Sequence, residues 1–453
     1  MALLHAGAAT SNITPPLGTH LAGSFHPMPA ESVHDELHAR ALVLEDGGTR
    51  IAIVVCDLIA LDREVIDPAR RRIEQRTGIP RSHILIAATH THSGPCPVPK
   101  FHYRNPVVDI SYLPFVTRRI ADAVEMAARR VQPARVAWGV GSEPRQVFNR
   151  RWYLRPGTIA ADPFGATADT VKMNPGVGSP NLIEPAGPTD PDVSVLAVET
   201  VAGRPLAAVV SYALHYVGGT VRAAISADYF AVVAAQLARL SGADPSFVGM
   251  LANGCSGDIN NINWRGTETK DVPYARMRRV AETVAAEAYR TWRAAEFHDT
   301  VRLSASEEEL SLGVRKPSPE QLKAARQRVT ALGPSDAPRD LPEYYAHSNI
   351  MLAERFPDYV QAPAQVLRVG DLGIATFPGE AFCAMGVEVK QQSPFAATMM
   401  IGLANDYHGY IPTVRGHEQG GYETWRATTA YLERDAAPQL VASAVRQLRD
   451  MAG

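Results

Sequence analysis

Short apolar, β-branched runs that stop abruptly at Gly, Asn, Asp, His or Glu recur along the whole chain. Ile51 to Cys56 leads to Asp57, Ile84 to Ala88 leads to His90, and Ala207 to Tyr212 leads to His215. Phe247 to Leu251 leads to Asn253 through Asp258, Leu372 to Phe377 to Glu380, and Thr398 to Leu403 to Asn405 through Tyr410. Short continuous apolar runs predict strands buried on both faces. Between the first two, Arg63 to Thr77 has charge-rich helical composition and stops at Gly78-Ile79-Pro80, which completes a β-α-β unit. If the strands belong to one sheet system, their polar ends converge on a crevice at the strand carboxyl ends, where open α/β sheets bind ligands. The predicted class is α/β, a mixed multi-stranded sheet core with flanking helices.

Residues 156–192 are rich in Gly, Pro, Asn and Asp and read as a long irregular loop, suited to covering a substrate. Pro319 to Leu332 and Leu341 to Phe356 predict a helical insertion near 315–360, and Ala427 to Met451 a closing helix. No repeat or separating linker interrupts the pattern, so residues 1–453 are expected to form a single domain.

The chain has 453 residues, 46% of them hydrophobic, a formal charge of -2 and a pI near 6.7. That balance gives no electrostatic footprint for nucleic acid or an anionic membrane surface. The amino terminus lacks a basic stretch followed by a long apolar one, and no apolar run reaches the length of a membrane span. A cytoplasmic protein without stable membrane association is expected, acting on a small molecule; a homo-oligomer is compatible with this composition. Cys56, Cys96, Cys255 and Cys383 lie far apart without CxxC spacing, which argues for reduced thiols used as small buried filler.

Candidate chemistry begins at Thr89-His-Thr-His-Ser-Gly-Pro95. Two imidazoles one residue apart at a strand end suit a metal ion or a proton relay, and in extended backbone His90 and His92 would point the same way. His215 offers an imidazole from a second strand, Glu380 a carboxylate and Tyr410 a phenolic oxygen. Together with His90 they supply the three or four N/O ligands that a hydrolytic zinc site requires. No GxGxxG or Walker sequence follows any of these strands, which removes the main nucleotide-binding alternatives.

Several of these segments also carry a family likeness. Ala88 through Pro95, Asn149-Arg150-Arg151, His215, Gly257-Asp258, Pro378-Gly379-Glu380 and Tyr407-X-X-Tyr410 occur in this order between Asn12-Ile13-Thr14-Pro15-Pro16 and about Tyr422. In that arrangement the chain resembles the catalytic domain of neutral/alkaline non-lysosomal ceramidases. The resemblance implies a ceramidase catalytic-domain-like fold and a Zn2+-dependent amide hydrolase. By motif, His90, His215, Glu380 and Tyr410 match the family's metal ligands. His92, Arg150 and Tyr422 match residues that bind the substrate or stabilise its transition state.

The chain departs from the family pattern at two places. Where ceramidases place a proposed nucleophilic Ser after the Gly-Asp motif, Gly257-Asp258-Ile259 is followed by Asn260-Asn261. Asn260 is expected to touch substrate, and Asn is no nucleophile. The sequence also ends soon after the catalytic region, without the family's C-terminal immunoglobulin-like domain, so a small polar substrate is expected in place of ceramide. The leading expectation is cleavage of an amide or lactam by metal-activated water. His92 or Asp258 would handle the proton. Arg150 and Tyr422 would bond the developing oxyanion or a substrate carboxylate. The alternatives are an esterase or lactonase on the same centre, a covalent hydrolase using Cys255 or Ser256, and a catalytically silent metal-containing binding protein.

Overall fold

A strand buried on both faces needs a layer on each side, and the computed structural model supplies four layers. Residues 2–23, 28–99, 111–267, 271–333 and 337–453 are described. The first sheet has eight strands: β1 (His5–Asn12), β2 (His38–Glu45), β3 (Arg50–Cys56), β4 (Ile84–Ala88), β5 (Gln132–Ser142), β6 (Asp192–Thr200), β7 (Pro205–Tyr212) and β8 (Val248–Asn253). Their spatial order is β8-β7-β6-β5-β1-β2-β3-β4. A second sheet, in the order β9-β10-β11-β12, comprises β9 (Leu303–Gly313), β10 (Tyr359–Val369), β11 (Leu372–Thr376) and β12 (Ala397–Ile401).

Alternation within the strands assigns each face. In β3, Ile51, Ile53 and Val55 join Leu367, Ile374, Met399 and Ile401 of the second sheet in one apolar layer. Ala52, Val54 and Cys56 face the other way, onto helices α1 (Arg63–Thr77) and α2 (Tyr112–Arg129). Val193, Val195, Val210 and Leu251 meet α3 (Asp228–Ser241) and α4 (Ala275–Ala294). Residues expected to be helical near 315–360 form α5 (Pro319–Leu332) and α6 (Leu341–Glu354), α5 opening with a Ser318/Gln321 capping box. The outer face of the second sheet meets α7 (Cys383–Gln392) and the closing helix α8 (Ala436–Ala452), through residues such as Val366, Met400, Met385 and Leu440. The runs that looked like strands of one sheet system therefore belong to two sheets packed face to face.

Among the described residues, only three strand pairs in these two sheets are parallel: β3 with β4, β7 with β8, and β11 with β12. Each pair is joined through a helix, α1, α3 and α7 respectively. These six strands are the six apolar runs that end in polar clusters. The eight-stranded sheet curls until the carboxyl ends of its two edges meet, with Asn253 Nδ2 donating to the Thr89 carbonyl at 3.3 Å. The segment after β12 closes the junction: Gly402 N donates to Asn253 O at 2.9 Å, and Ala88 N to Leu403 O at 3.1 Å.

Local chemistry fixes the element ends. Asp62 caps α1 by accepting from Glu64 N, and Gly78 ends it with φ of 73°. The stretch 156–192 is less irregular than its composition suggests, since Val171–Met173 and Leu182–Pro185 pair with Arg151–Leu154. The closing helix begins at Ala436 and not at Ala427. Thr429 O instead accepts from Tyr410 N at 2.8 Å, and Glu433 N donates to Gly313 O at 2.8 Å, so the backbone of 427–435 serves neighbouring loops.

Candidate metal centre

The site lies where the three parallel pairs end. Two residues past β4, His90 adopts φ of 79°, a left-handed conformation uncommon for a residue with a side chain. The extended backbone assumed for His90 and His92 is thus replaced by a reversal, yet the two rings still converge, Nε2 to Nε2 at 3.1 Å. His215, three residues past β7, brings its Nε2 to 3.1 Å from that of His90. Glu380 Oε2, four residues past β11, lies 3.3 Å from His90 Nε2 and 3.7 Å from His215 Nε2.

Backbone carbonyls assign the tautomers. His90 Nδ1 lies 2.7 Å from Ile59 O, and His215 Nδ1 lies 3.1 Å from Ser256 O. A carbonyl only accepts, so each Nδ1 carries the proton and each Nε2 presents a lone pair. Two lone pairs 3.1 Å apart repel unless a cation sits between them. Two nitrogens each about 2.0–2.1 Å from a tetrahedral zinc would stand about 3.3 Å apart, close to this spacing. Glu380 Oε2 adds a buried carboxylate oxygen without a hydrogen-bond partner among the described residues. The residues present therefore fit a divalent metal, and His90, His92 and His215 form a group whose nitrogens lie within 4.8 Å of one another.

The electrostatics are those of a dry cluster. Burial pushes the Glu380 carboxyl up, against the Tyr407 hydroxyl and the Arg150 guanidinium, which favour the carboxylate. Burial, with the Arg150 guanidinium nearby, holds His92 and His215 far below the usual imidazole value, so both stay neutral and able to donate a lone pair. Tyr410 pairs with Glu380 in a short parallel ladder, Glu380–Ala381 against Tyr410–Ile411. Burial and Glu380 raise its phenol well above the ordinary value, against the pull of Arg150, whose guanidinium lies 5.4 Å from its ring centroid.

The other site candidates divide into two groups. His92, half-buried, stacks on Tyr216 at 3.7 Å and lines a cavity of about 200 Å³ with Gly23, Ser93, Gly219 and Thr220. A Cβ on Gly23 would come within 2.6 Å of His92 Nδ1, so only glycine lets that loop back the ring. Arg150 donates through Nε to Glu423 at 2.9 Å, while its buried Nη2 has no acceptor among the described residues. The Tyr422 ring stands 5.8 Å from that of Tyr410.

Asp258, Asn260, Cys255 and Ser256 are engaged elsewhere. Phe382, the N-cap of α7, has no side-chain acceptor, so Asp258 Oδ1 accepts from Cys383 N at 2.7 Å while Oδ2 accepts from Asn149 Nδ2 at 2.9 Å. Asn260 donates to Asn174 Oδ1 at 3.1 Å and accepts from Ile262 N at 3.0 Å, tying β-strand residues 171–173 to segment 257–261. Cys255 belongs to the apolar layer under α7, where burial pushes its thiol pKa up, and buried Ser256 lends its carbonyl to His215.

Sequence reasoning had no reason to single out Glu423. It is fully buried and accepts from both Arg150 Nε and Arg151 Nη1 at 2.9 Å. Its only sequence signal was its place beside Tyr422, and adjacency in sequence does not show which cation a carboxylate will meet. Tyr407 likewise stands out in the sequence only as part of the Tyr407-X-X-Tyr410 motif, although its hydroxyl donates to Glu380 Oε1 at 2.5 Å.

This arrangement of sheets and helices is a ceramidase-like fold. The neutral ceramidase from Pseudomonas aeruginosa matches with a TM-score of 0.73 and 19% identity over 98% of this chain and 74% of that one. A structure described as ceramidase complexed with C2 matches at 0.73 and 18% identity, over 100% and 76% of the respective chains. Comparison with models of known protein families and with curated protein sequences gives no match. Among the described residues no helix is long and apolar enough to cross a membrane.

Proposed function

We propose that this chain is a zinc-dependent hydrolase that cleaves an amide or lactam bond in a small polar substrate. The observation that carries the reading is the convergence of two tautomer-fixed Nε2 lone pairs, on His90 and His215, with the orphaned Oε2 of Glu380. These three residues and Tyr410 would hold the ion. A divalent metal there would supply Lewis acidity and lower the pKa of a water to about 7.

The chain's own groups supply the rest. His92, neutral and placed between the cavity and the cluster, accepts the proton of the attacking water and returns it to the leaving nitrogen. Arg150 Nη2 and the Tyr422 hydroxyl stabilise the oxyanion that develops as water adds. Asp258 and Asn260 act as braces, one for the start of α7 and one for the segment that carries Asn174. The low acidity of Cys255 within an apolar layer favours water over a thiol nucleophile.

The test is metal removal by a chelator, followed by zinc readdition, on paired amides and esters of small polar acids. Hydrolysis should vanish and return. Undiminished turnover by the demetallated protein would overturn the reading. Preference for the ester partners favours an esterase or lactonase, and stoichiometric metal without turnover on either set indicates a binding protein.

A further inference from the structure

We propose that Tyr407 is a positioning residue that makes Glu380 a one-oxygen metal ligand; the proposal rests on the metal-site reading above. A glutamate carboxylate can swing about its last bond and offer a cation one oxygen or both. Tyr407 removes that freedom: its hydroxyl holds Oε1 at 2.5 Å, while Oε2 has no donor among the described residues and faces His90 Nε2 at 3.3 Å. Both side chains are buried, so water does not compete for either oxygen. Outer hydrogen bonds of this kind orient metal ligands. Ile59 O and Ser256 O do the same for His90 and His215, and Tyr407 is the side chain that does it for Glu380.

The loop that carries Tyr407 is locked on both sides. Leu403 and Asn405 hold φ of 53° and 66°, costly for residues with side chains. The Asn405 amide accepts from Ile86 N and donates to Gln365 Oε1, each at 2.9 Å. Asp406 Oδ2 accepts from Arg63 Nε at 3.2 Å, and His408 Nδ1 lies 2.6 Å from the Tyr431 hydroxyl. The residues flanking Tyr407 therefore have little freedom, and the phenol inherits their precision.

The experiment measures the zinc dissociation constant of the full chain by chelator competition. Tyr407→Phe should weaken binding by about 10–100-fold, and by nothing further in a Glu380→Ala background, which has no acceptor for the phenol. A residue that merely filled space would cost the same in both backgrounds. Wild-type affinity in Tyr407→Phe, or equal losses in the two backgrounds, would overturn the proposal. If Tyr407→Phe does not fold, 3-fluorotyrosine at position 407 keeps the packing and alters the donor; affinity must then change with Glu380 present and stay fixed in Glu380→Ala. A wild-type chain that takes up no zinc would instead overturn the metal-site reading, and this proposal with it.

Discussion

Replacing Glu423 with Gln should cost the protein about 3–5 kcal/mol, the usual loss when one partner of a buried ion pair is removed. The carboxylate is fully buried, and Arg150 and Arg151 beside it are 5% and 1% exposed, so solvent cannot take over its role. Arg151 would keep the carbonyls of Gly416 and Gly420 at 3.1 and 2.8 Å. Arg150 would lose the acceptor on Nε while its Nη2 already lacks one among the described residues, so most of the cost falls there. Adding Arg150→Met to Glu423→Gln removes the stranded charge and should recover about 1–4 kcal/mol, although turnover falls. Urea denaturation followed by tryptophan fluorescence, at fixed zinc concentration, measures both effects. A Glu423→Gln protein within about 1 kcal/mol of wild type, or a double variant no more stable than the single one, would refute this account.

His92→Gln should retain zinc and lose turnover by about 10²–10⁴-fold, whereas His90→Gln and His215→Gln should lose the metal itself; metal analysis beside a rate assay separates the roles. Gly257→Ala should destabilise by about 1–3 kcal/mol or more, because the new Cβ would stand 2.3 Å from the Glu380 carbonyl oxygen, and thermal denaturation measures the loss. Burial, with Arg315, Arg434 and Arg151 around it, lowers His417 to about 3, so it stays neutral while the unfolded chain takes up a proton near pH 6.5. Its contribution is complete above about pH 6.5 and is lost as pH falls toward 3, an effect of about 3–5 kcal/mol that should be much flatter in His417→Gln when stability is followed against pH. Cys255→Ala should keep full turnover, and its loss with zinc still bound would restore the thiol as nucleophile.

Much of the fold was readable because burial on both faces leaves a continuous apolar run. The six runs ending at Asp57, His90, His215, Asn253, Glu380 and Asn405 are the six strands of the three parallel pairs. Helix α1 was readable to the residue because Asp62 and Gly78 mark its ends. Periodicity carries no information on which sheet a strand joins, so the division into two sheets was not visible. The stretch 427–435 looked helical because its backbone partners, Tyr410 and Gly313, are far away in sequence.

At the site, residue type and position past a strand end, read together with the family resemblance, nominated His90, His92, His215, Glu380 and Tyr410. Sequence could not show that Asp258 would be taken up by the uncapped start of α7, or that Tyr407 and Glu423 would hold Glu380 and Arg150. Donors and acceptors are common to many side chains, and their pairing depends on distances of about 2.5 to 3 Å between segments tens to hundreds of residues apart. The chain by itself therefore determined the apolar layers and the chemical types at their ends. Only the tertiary structure decided that those ends meet: the eight-stranded sheet curls to bring its two edges together at Asn253 and Thr89, and the second sheet packed against it delivers Glu380 and Tyr410.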